Sequence, residues 1–187
     1  MRGFFGIGVE QISKPMNLGA ITRTAHAFGA GFVFTVAGHA KKKDIYGADT
    51  SRTFEQLPFY EFEGLEDFTI PKGARLVGIE LTDDAIDLPS FTHPKQAVYI
   101  LGPEGGSLSP SIVDRCDYVI KIPTKFCLNV GLAAALVMYD RQMTLGKFPD
   151  RPTGTGGPRL DDTSEWVPSK INKGRVKSKT LKPLEEQ

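Results

Sequence analysis

The chain has 187 residues, with 23 Lys and Arg against 22 Asp and Glu, so its formal net charge is +1. This near-neutral balance does not by itself indicate a nucleic-acid partner, and the length suits one domain plus extra segments. The longest apolar run is about half of the roughly 20 residues that a spanning helix needs, so we expect no membrane segment. Cys116 and Cys127 lack CxxC spacing and a nearby histidine. We therefore expect no metal site, and reduced cysteines in a cytoplasmic protein.

The first fifth of the chain is predicted to fold as strand, helix, strand. A strand at 3–9 is followed by a loop through Pro15, and a helix at about 17–28 opens on Asn17 as its N-cap. Glycines end the helix, and a second apolar strand follows at 32–36. This order is the start of a parallel α/β domain.

The predicted helix has an apolar stripe and an opposite polar face. Arg23 lies on the polar side, four residues after Gly19, so we expect its guanidinium to face a cleft or solvent. The apolar stripe, which we expect to be buried, consists of Leu18, Ile21, Ala25 and Phe28.

The middle of the chain continues this alternation of strands and connecting segments. Strands at 57–62 and 75–81 flank a short helix near Leu65, and the lysine-rich segment 39–52 is predicted as a surface loop. The strand at 97–101 is fully apolar. Such a strand is typical of a parallel sheet covered on both faces.

The segment before residue 148 holds the longest apolar helix. Ser109 and Pro110 predict the N-cap and first residue of a short helix, an apolar strand follows at 118–122, and Asn129 is the predicted N-cap of the next helix. Because the run 130–139 has no polar face wide enough to meet water, we expect this helix to be buried all round.

Composition changes abruptly after Phe148. We therefore divide the chain into a domain at 1–148 and a basic extension, rich in Gly and Pro, at 149–187. Between Pro168 and Leu184 the extension holds six Lys or Arg and no acidic residue. Such composition is typical of a flexible, solvated segment, and the alternative is a basic arm that contacts phosphates.

Three sequence motifs point to chemistry. The first is N-L-G-A-I-T-R-T-A at 17–25, the second is G-P-E-G-G at 102–106, and the third is I-P at 122–123 followed by C-L-N-V at 127–130. A Gly-Pro turn directly after an apolar strand lets the backbone approach a ligand closely. Parallel α/β sheets bind ligands beyond the carboxyl ends of their strands, which is where the second and third motifs lie.

Together and in this order, the motifs resemble those of the SpoU (TrmH-like) family of RNA ribose 2′-O-methyltransferases, within the SPOUT superfamily. The resemblance covers roughly residues 1–145. It implies an α/β fold, a parallel sheet flanked by helices with a deep C-terminal trefoil knot, which is a rare exception to unthreaded chains. It also implies S-adenosylmethionine as cofactor, a homodimer as the working unit, and RNA as substrate, with tRNA first and rRNA second.

Carried over by motif position, the resemblance assigns cofactor contacts to Gly102, Ile122 and Leu128, and to Leu81 at the end of an earlier strand. Cys127 stands in this set where most family members have serine, and the turn before it is about three residues shorter than usual. A thiol is a weaker hydrogen-bonding group than a hydroxyl. This departure motivates an alternative, a knotted RNA-binding module that has lost methyl transfer.

The resemblance assigns the remaining site roles to Asn17, Arg23, Glu104 and Asn129. Arg23 is implied to contact the target ribose hydroxyl or its phosphate from the partner subunit. Because a guanidinium keeps its proton beyond about pH 12, we expect it to orient these groups rather than act as a general base. Glu104 is expected to order the motif loops or to pair with Arg23. Asn17 and Asn129 are expected to combine helix capping with a place in the site.

Overall fold

The computed structural model describes residues 3–39 and 53–148. The strands of this part are β1 (Phe4–Glu10), β2 (Phe32–Val36), β3 (Phe59–Phe62), β4 (Arg75–Ile79), β5 (Ile86–Asp87), β6 (Gln96–Leu101) and β7 (Tyr118–Lys121). The helices are α1 (Pro15–Ala27), α2 (Pro110–Val113) and α3 (Val130–Leu145), and Thr53–Glu55 and Leu88–Ser90 are single 3-10 turns.

The seven strands form one sheet in the order β3-β2-β1-β6-β4-β7-β5, and every neighbouring pair is parallel. The prediction of a parallel sheet flanked by helices is therefore confirmed. The threading that would make a trefoil knot is not decided by strand order and stays a prediction. Within 3–39 and 53–148 no helix is long and apolar enough to cross a membrane.

The core lies on both faces of the sheet. On one face, α1 and α3 cover alternate strand residues that include Ala97, Tyr99 and Leu101 of β6. On the other face, α2 and the segment before β4 cover Val98 and Ile100. Because all five side chains are nearly inaccessible, the fully apolar pattern of β6 is explained by burial on both sides.

Two glycines within β1 make room for aromatic side chains of β2. A Cβ atom at Gly6 would lie 2.2 Å from the ring of Phe32, and one at Gly8 would lie 2.5 Å from that of Phe34. These contacts are shorter than any real packing distance. The pair of glycines therefore serves the packing of adjacent strands.

Two local predictions for the connecting segments are wrong. The segment near Leu65 is a turn, not a helix, and the guanidinium of Arg115 donates to the carbonyl oxygens of Leu65 and Phe68 at 2.8 and 2.7 Å. The acidic stretch 82–87, whose composition predicts a turn, ends in the short edge strand β5. Residues 40–52 of the predicted lysine-rich loop lie outside the described residues, as does the extension 149–187, so the domain division stays a prediction.

The N-cap of helix α1 lies three residues earlier than predicted. Lys14 is its N-cap and Pro15 its first residue, so the prediction of Asn17 as N-cap is wrong. Proline suits the first helical position because it lacks an N–H that would have no partner there and because its φ is already helical. As a result, the Asn17 side chain is not needed for capping and is available for contacts outside the helix.

Helix α3 is not buried all round, which corrects the prediction from its composition. Leu132, Leu136 and Tyr139 are 61%, 43% and 49% exposed. They lie on the side away from the sheet, because one helix face is already sufficient to cover the strands beneath it. The buried face consists of Val130, Ala134, Val137, Met138 and Arg141.

The C-terminal half of α3 is fastened by the buried guanidinium of Arg141, which is 1% exposed. It donates to the carbonyl oxygens of Pro94 and Lys95 at 2.6 and 2.8 Å, and to that of Phe4 at 3.4 Å. It also donates to the hydroxyl oxygen of Tyr99 at 3.2 Å. The guanidinium thus ties the helix to the amino-terminal ends of β1 and β6.

A buried histidine extends this network. Nδ1 of His93 lies 2.6 Å from the Tyr99 hydroxyl, and Nε2 lies 2.9 Å from Oδ2 of Asp140. Burial lowers the pKa of His93 and raises the pKa of Tyr99 to about 12. The imidazole is therefore neutral, its Nε2–H donates to Asp140, and its Nδ1 accepts from the Tyr99 hydroxyl.

Candidate active site

Four adjacent strands of the sheet, β1, β6, β4 and β7, deliver their following loops to one edge. Because the strands are parallel, their carboxyl ends lie side by side. The loops that leave them contain all three sequence motifs or border them. This edge is where open parallel sheets bind ligands.

Glu104 joins the second motif to the segment around the first. Its Oε1 accepts a hydrogen bond from Nδ2 of Asn17 at 2.7 Å. Its Oε2 accepts from the backbone N–H and the hydroxyl of Ser13, at 3.2 and 3.0 Å. The expectation that Glu104 orders the motif loops agrees with these contacts.

Asn17 and Asn129 continue the chain of hydrogen bonds into the third motif. Nδ2 of Asn129 donates to Oδ1 of Asn17 at 3.3 Å, and Oδ1 of Asn129 accepts from the N–H of Gly131 at 2.9 Å. This last bond caps α3, so the predicted N-cap at Asn129 is confirmed. We call the chain Ser13–Glu104–Asn17–Asn129 the motif relay.

The two ends of the motif relay determine how both amides are oriented. An ionised Glu104 only accepts hydrogen bonds, and the N–H of Gly131 only donates. Asn17 must therefore point Nδ2 at Glu104, and Asn129 must point Oδ1 at Gly131. Each amide keeps one further N–H that the relay does not use, so the relay presents hydrogen-bond donors to a ligand.

The environment of Glu104 keeps its carboxylate ionised. Burial by itself would raise its pKa, but hydrogen bonds from Asn17, Ser13 and the Lys14 backbone outweigh burial and lower the pKa below its ordinary value. A carboxylate of lowered pKa is a poor general base at neutral pH. Its chemical contribution is to hold the two amides in place.

Arg23 is exposed on α1, six residues or about 9 Å along the helix axis from Asn17. Within 3–39 and 53–148 it forms no hydrogen bond or ion pair, and the alternative that it pairs with Glu104 is not realised there. Its guanidinium donors are thus available to a ligand from outside the described chain.

The five residues assigned to the cofactor line one cleft at this edge. Leu81, Gly102, Ile122, Cys127 and Leu128 all contribute to its wall. The floor between them is mainly apolar and comes from the ends of β4 and β6 and the first turns of α3. Segments that are far apart in the sequence are therefore brought together as the motifs predicted.

Two charged side chains that the sequence reasoning missed fix the shape of this cleft. Glu80 accepts from the backbone N–H groups of Leu81 at 2.9 Å and Leu108 at 2.7 Å. Nζ of Lys121 donates to the carbonyl oxygens of Thr82 and Asp83, both at 2.9 Å. Both lie at the carboxyl end of an apolar strand, Glu80 directly after β4 and Lys121 as the last residue of β7. A charged residue in that position was the available signal.

Gly102 is needed by the loop itself. A Cβ atom there would lie 2.8 Å from the backbone nitrogen of Leu108. The glycine therefore allows the second motif to fold back on itself, in addition to lining the cleft. Among residues 3–39 and 53–148, no three His, Cys, Asp or Glu side chains lie together as metal ligands would.

The model of the SpoU rRNA Methylase family matches residues 5–139 of this chain. The chain belongs to this family. The resemblance inferred from the three motifs is therefore confirmed, and the match contains every residue of the motif relay. The exposed face of α3, up to Tyr139, lies within it as well.

Curated relatives of this SpoU-family chain carry names of RNA ribose methyltransferases. The mouse tRNA (guanosine(18)-2′-O)-methyltransferase TARBP1 is 31% identical over an alignment of 146 residues, and the match covers 72% of this chain and 9% of that protein. The tRNA (guanosine(18)-2′-O)-methyltransferase of Escherichia coli K12 is 27% identical, over 72% of this chain and 61% of that protein. The chain thus spans less than two thirds of these relatives.

Solved structures of methyltransferases share the fold. A Sinorhizobium meliloti rRNA methyltransferase superposes with a TM-score of 0.69 at 22% identity, over 77% of this chain and 57% of that one. AviRb from Streptomyces viridochromogenes, in complex with the cofactor AdoMet, superposes with a TM-score of 0.67 at 26% identity. That superposition covers 79% of this chain and 60% of AviRb.

Proposed function

We propose that this SpoU-family chain transfers a methyl group from S-adenosylmethionine to a ribose 2′-hydroxyl of RNA, with tRNA as the first candidate and rRNA as the second. The observation that carries the proposal is the motif relay, which joins all three motifs beside an apolar cleft. The names of the mouse and Escherichia coli relatives support the same activity.

The cleft fits S-adenosylmethionine by the chemistry of its walls. Leu81 and Leu128 remain 45% and 38% exposed at the cleft, although they are apolar, and such surfaces suit the flat face of an adenine ring. We propose that Leu81, Gly102, Ile122, Cys127 and Leu128 hold the cofactor. When bound, it supplies an electrophilic methyl group to a ribose oxygen that loses its proton.

The charged and amide groups serve the RNA side of the reaction in this proposal. Arg23 and the unused N–H groups of Asn17 and Asn129 are donors, so they match the oxygen atoms of a ribose and its phosphate. Their task is to align the hydroxyl, which lowers the barrier mainly through positioning. Glu104 acts through the orientation of the two amides.

We further propose that the working unit is a homodimer in the cytoplasm. The exposed strip of Leu132, Leu136 and Tyr139 on α3 supports a contact with a second copy, because a long apolar helix face is costly to leave in water. The basic extension 149–187 would then add contacts to RNA phosphates that do not depend on base sequence.

Methyl transfer is tested by incubating the purified chain with tritiated S-adenosylmethionine and bulk tRNA, followed by alkaline hydrolysis of the RNA. A 2′-O-methyl group blocks cleavage at its own nucleotide, so the label should be recovered in alkali-resistant dinucleotides. Arg23→Ala should lose most of the label while keeping the fold. Label in mononucleotides, or none beside an active family enzyme, would contradict the proposal.

A knotted RNA-binding module is the second candidate, because Cys127 lines the cleft where most family members have serine. Calorimetry with S-adenosylmethionine distinguishes the two functions. Cofactor binding supports the enzyme. Binding of tRNA without any binding of the cofactor would support the module, and in that case Cys127→Ser should restore cofactor binding if the thiol is the cause.

A further inference from the structure

Phe126 is the most exposed large apolar side chain within 3–39 and 53–148. Its side chain is 81% exposed, on the loop between β7 and α3. Single exposed apolar side chains are common on protein surfaces. Phe126 differs because Thr124, Cys127 and Leu128, its neighbours in the same loop, all line the candidate cofactor cleft.

The loop holds this ring on a built turn. The N–H of Thr124 donates to the carbonyl oxygen of Ile122 at 2.8 Å, and the Thr124 hydroxyl donates to the carbonyl oxygen of Phe126, also at 2.8 Å. Pro123 restricts the backbone between them. The position of Phe126 is therefore set by its own loop, although no other side chain buries the ring.

The residue directly before Phe126 in this loop carries an available positive charge. Lys125 is exposed and forms no hydrogen bond or ion pair with the residues that the structure describes. The nearby Lys121 differs, because its amine is bound to two backbone carbonyl oxygens. Asn129 of the motif relay follows Phe126 by three residues, a span of at most about 11 Å along the chain.

We propose that Phe126 and Lys125 form a binding site for one nucleotide of the RNA substrate, in which Phe126 stacks on the base and Lys125 pairs with a phosphate. This rests on the proposed function and names the part of the RNA that the loop holds. An aromatic face beside a free cation matches the two features that every nucleotide shares, a flat base and a phosphate. The bound nucleotide is the target or its direct neighbour.

Lys125 also argues for RNA over a second protein copy at this position. Charged residues, and lysine in particular, are depleted from the buried centres of protein interfaces. Within α3, the charged residues next to the strip of Leu132, Leu136 and Tyr139 are Asp140, which is bonded to His93, and Arg141, which is buried. The two exposed apolar surfaces therefore suit different partners.

Three substitutions of Phe126 separate stacking from simple apolar contact. Phe126→Ala should raise the Kd for bulk tRNA by about 5- to 150-fold, the usual effect of losing one base stack. Phe126→Leu should bind tRNA almost as weakly as Phe126→Ala, because leucine keeps apolar surface but has no aromatic face. Phe126→Trp should restore affinity, and its fluorescence should be quenched when tRNA is added.

Lys125→Gln tests the phosphate contact. It should reduce the slope of log affinity against log salt by about 0.7 to 0.9. Matched controls are Lys72→Gln, on an exposed turn before β4, and Tyr60→Ala, whose ring is 52% exposed on the opposite edge strand β3. Neither control should change tRNA affinity or its salt dependence.

The proposal is decided by the Kd for tRNA, its salt dependence, the sedimentation coefficient and the Kd for S-adenosylmethionine. It is overturned if Phe126→Leu binds tRNA like the unchanged chain, or if Phe126→Ala alters only the sedimentation coefficient or the S-adenosylmethionine Kd. The proposed function fails separately. A chain that transfers no methyl group, yet binds tRNA in a manner that depends on Phe126, would refute methyl transfer and retain the nucleotide site.

Discussion

The two ends of α3 are both fastened by chains of hydrogen bonds, but they differ in what they leave accessible. At the amino end, Asn129 is exposed and Asn17 is half-buried, so amide N–H groups remain open to a ligand. At the carboxyl end, His93 and Arg141 are 3% and 1% exposed. The same kind of polar chain thus stabilises the fold where it is buried and can serve chemistry where it is open.

In both hydrogen-bond networks, the groups at the two ends determine the donor and the acceptor of every bond between them. Glu104 accepts at one end of the motif relay, and the Gly131 N–H donates at the other. In the buried network of Arg141, Tyr99, His93 and Asp140, Arg141 donates to Tyr99, and Asp140 accepts from His93. Each network therefore has one arrangement, and in the motif relay this arrangement orients the two amides before any substrate arrives.

The largest expected effect is the loss of stability when the buried hydrogen-bond network is interrupted. Arg141→Met should destabilise the chain by about 3–5 kcal/mol, because three carbonyl oxygens and the Tyr99 hydroxyl lose their donor while remaining buried. Urea unfolding measures this. The exposed Thr144→Ala on the same helix should change the free energy of unfolding by less than about 0.5 kcal/mol. Equal losses for both variants would contradict the comparison.

Breaking the motif relay at its carboxylate should affect activity more than stability. Glu104→Gln replaces charge-assisted bonds to Ser13 and Asn17 with neutral ones, and charged bonds contribute about 1.5–3 kcal/mol. We expect kcat/KM for methyl transfer to fall about 10- to 100-fold, since the amides lose their single orientation. Ser13→Ala, which removes only the hydroxyl bond to Glu104, should have a smaller effect. Unchanged kinetics for Glu104→Gln would show that the relay does not position the site.

Asn129 allows helix capping to be separated from the relay. Asn129→Ala should cost about 1 kcal/mol of stability through the lost cap and should also reduce activity. Asn129→Asp can still accept from Gly131 but cannot donate to Asn17, so stability should be kept while activity falls. Thermal unfolding and initial rates on the same samples test this. Full activity of the Asp variant would rule out a role for the donated bond.

The smallest expected effect is the pH dependence of the stability that the buried network contributes. Because burial lowers the pKa of His93 in the fold, the unfolded state takes up a proton first as the pH falls below its ordinary value of 6.5. The stability contributed by neutral His93 is present above that pH and is lost as the pH falls through the folded pKa. Charges facing the imidazole are Asp140, which opposes this shift, and Arg141, which supports it.

Urea unfolding between pH 5 and 7.5 should therefore show a decrease of stability with acid that is weaker in His93→Gln. His26→Gln serves as the control, because His26 is exposed and lies outside the buried network. If His93→Gln keeps the full dependence of the free energy of unfolding on pH, groups other than His93 cause that dependence.

The sequence by itself determined those features that depend on neighbouring residues. Apolar runs predicted the main strands, Ser109 and Asn129 were recognised as helix caps, and the order of three motifs identified the family. Helix α1 is the local exception, because Pro15 is a stronger start signal than Asn17. Periodicity likewise showed that α3 is apolar, but not which of its faces the sheet would cover.

Only the tertiary structure decided the contacts of the site. Glu104 meets Ser13 and Asn17 across 91 and 87 residues, and Asn129 meets Asn17 across 112. Such bonds follow from the order of parallel strands in the sheet, which places the loops after β1, β6 and β7 at one edge. Residue patterns specify what a side chain can donate or accept, whereas strand order decides which distant partner it reaches.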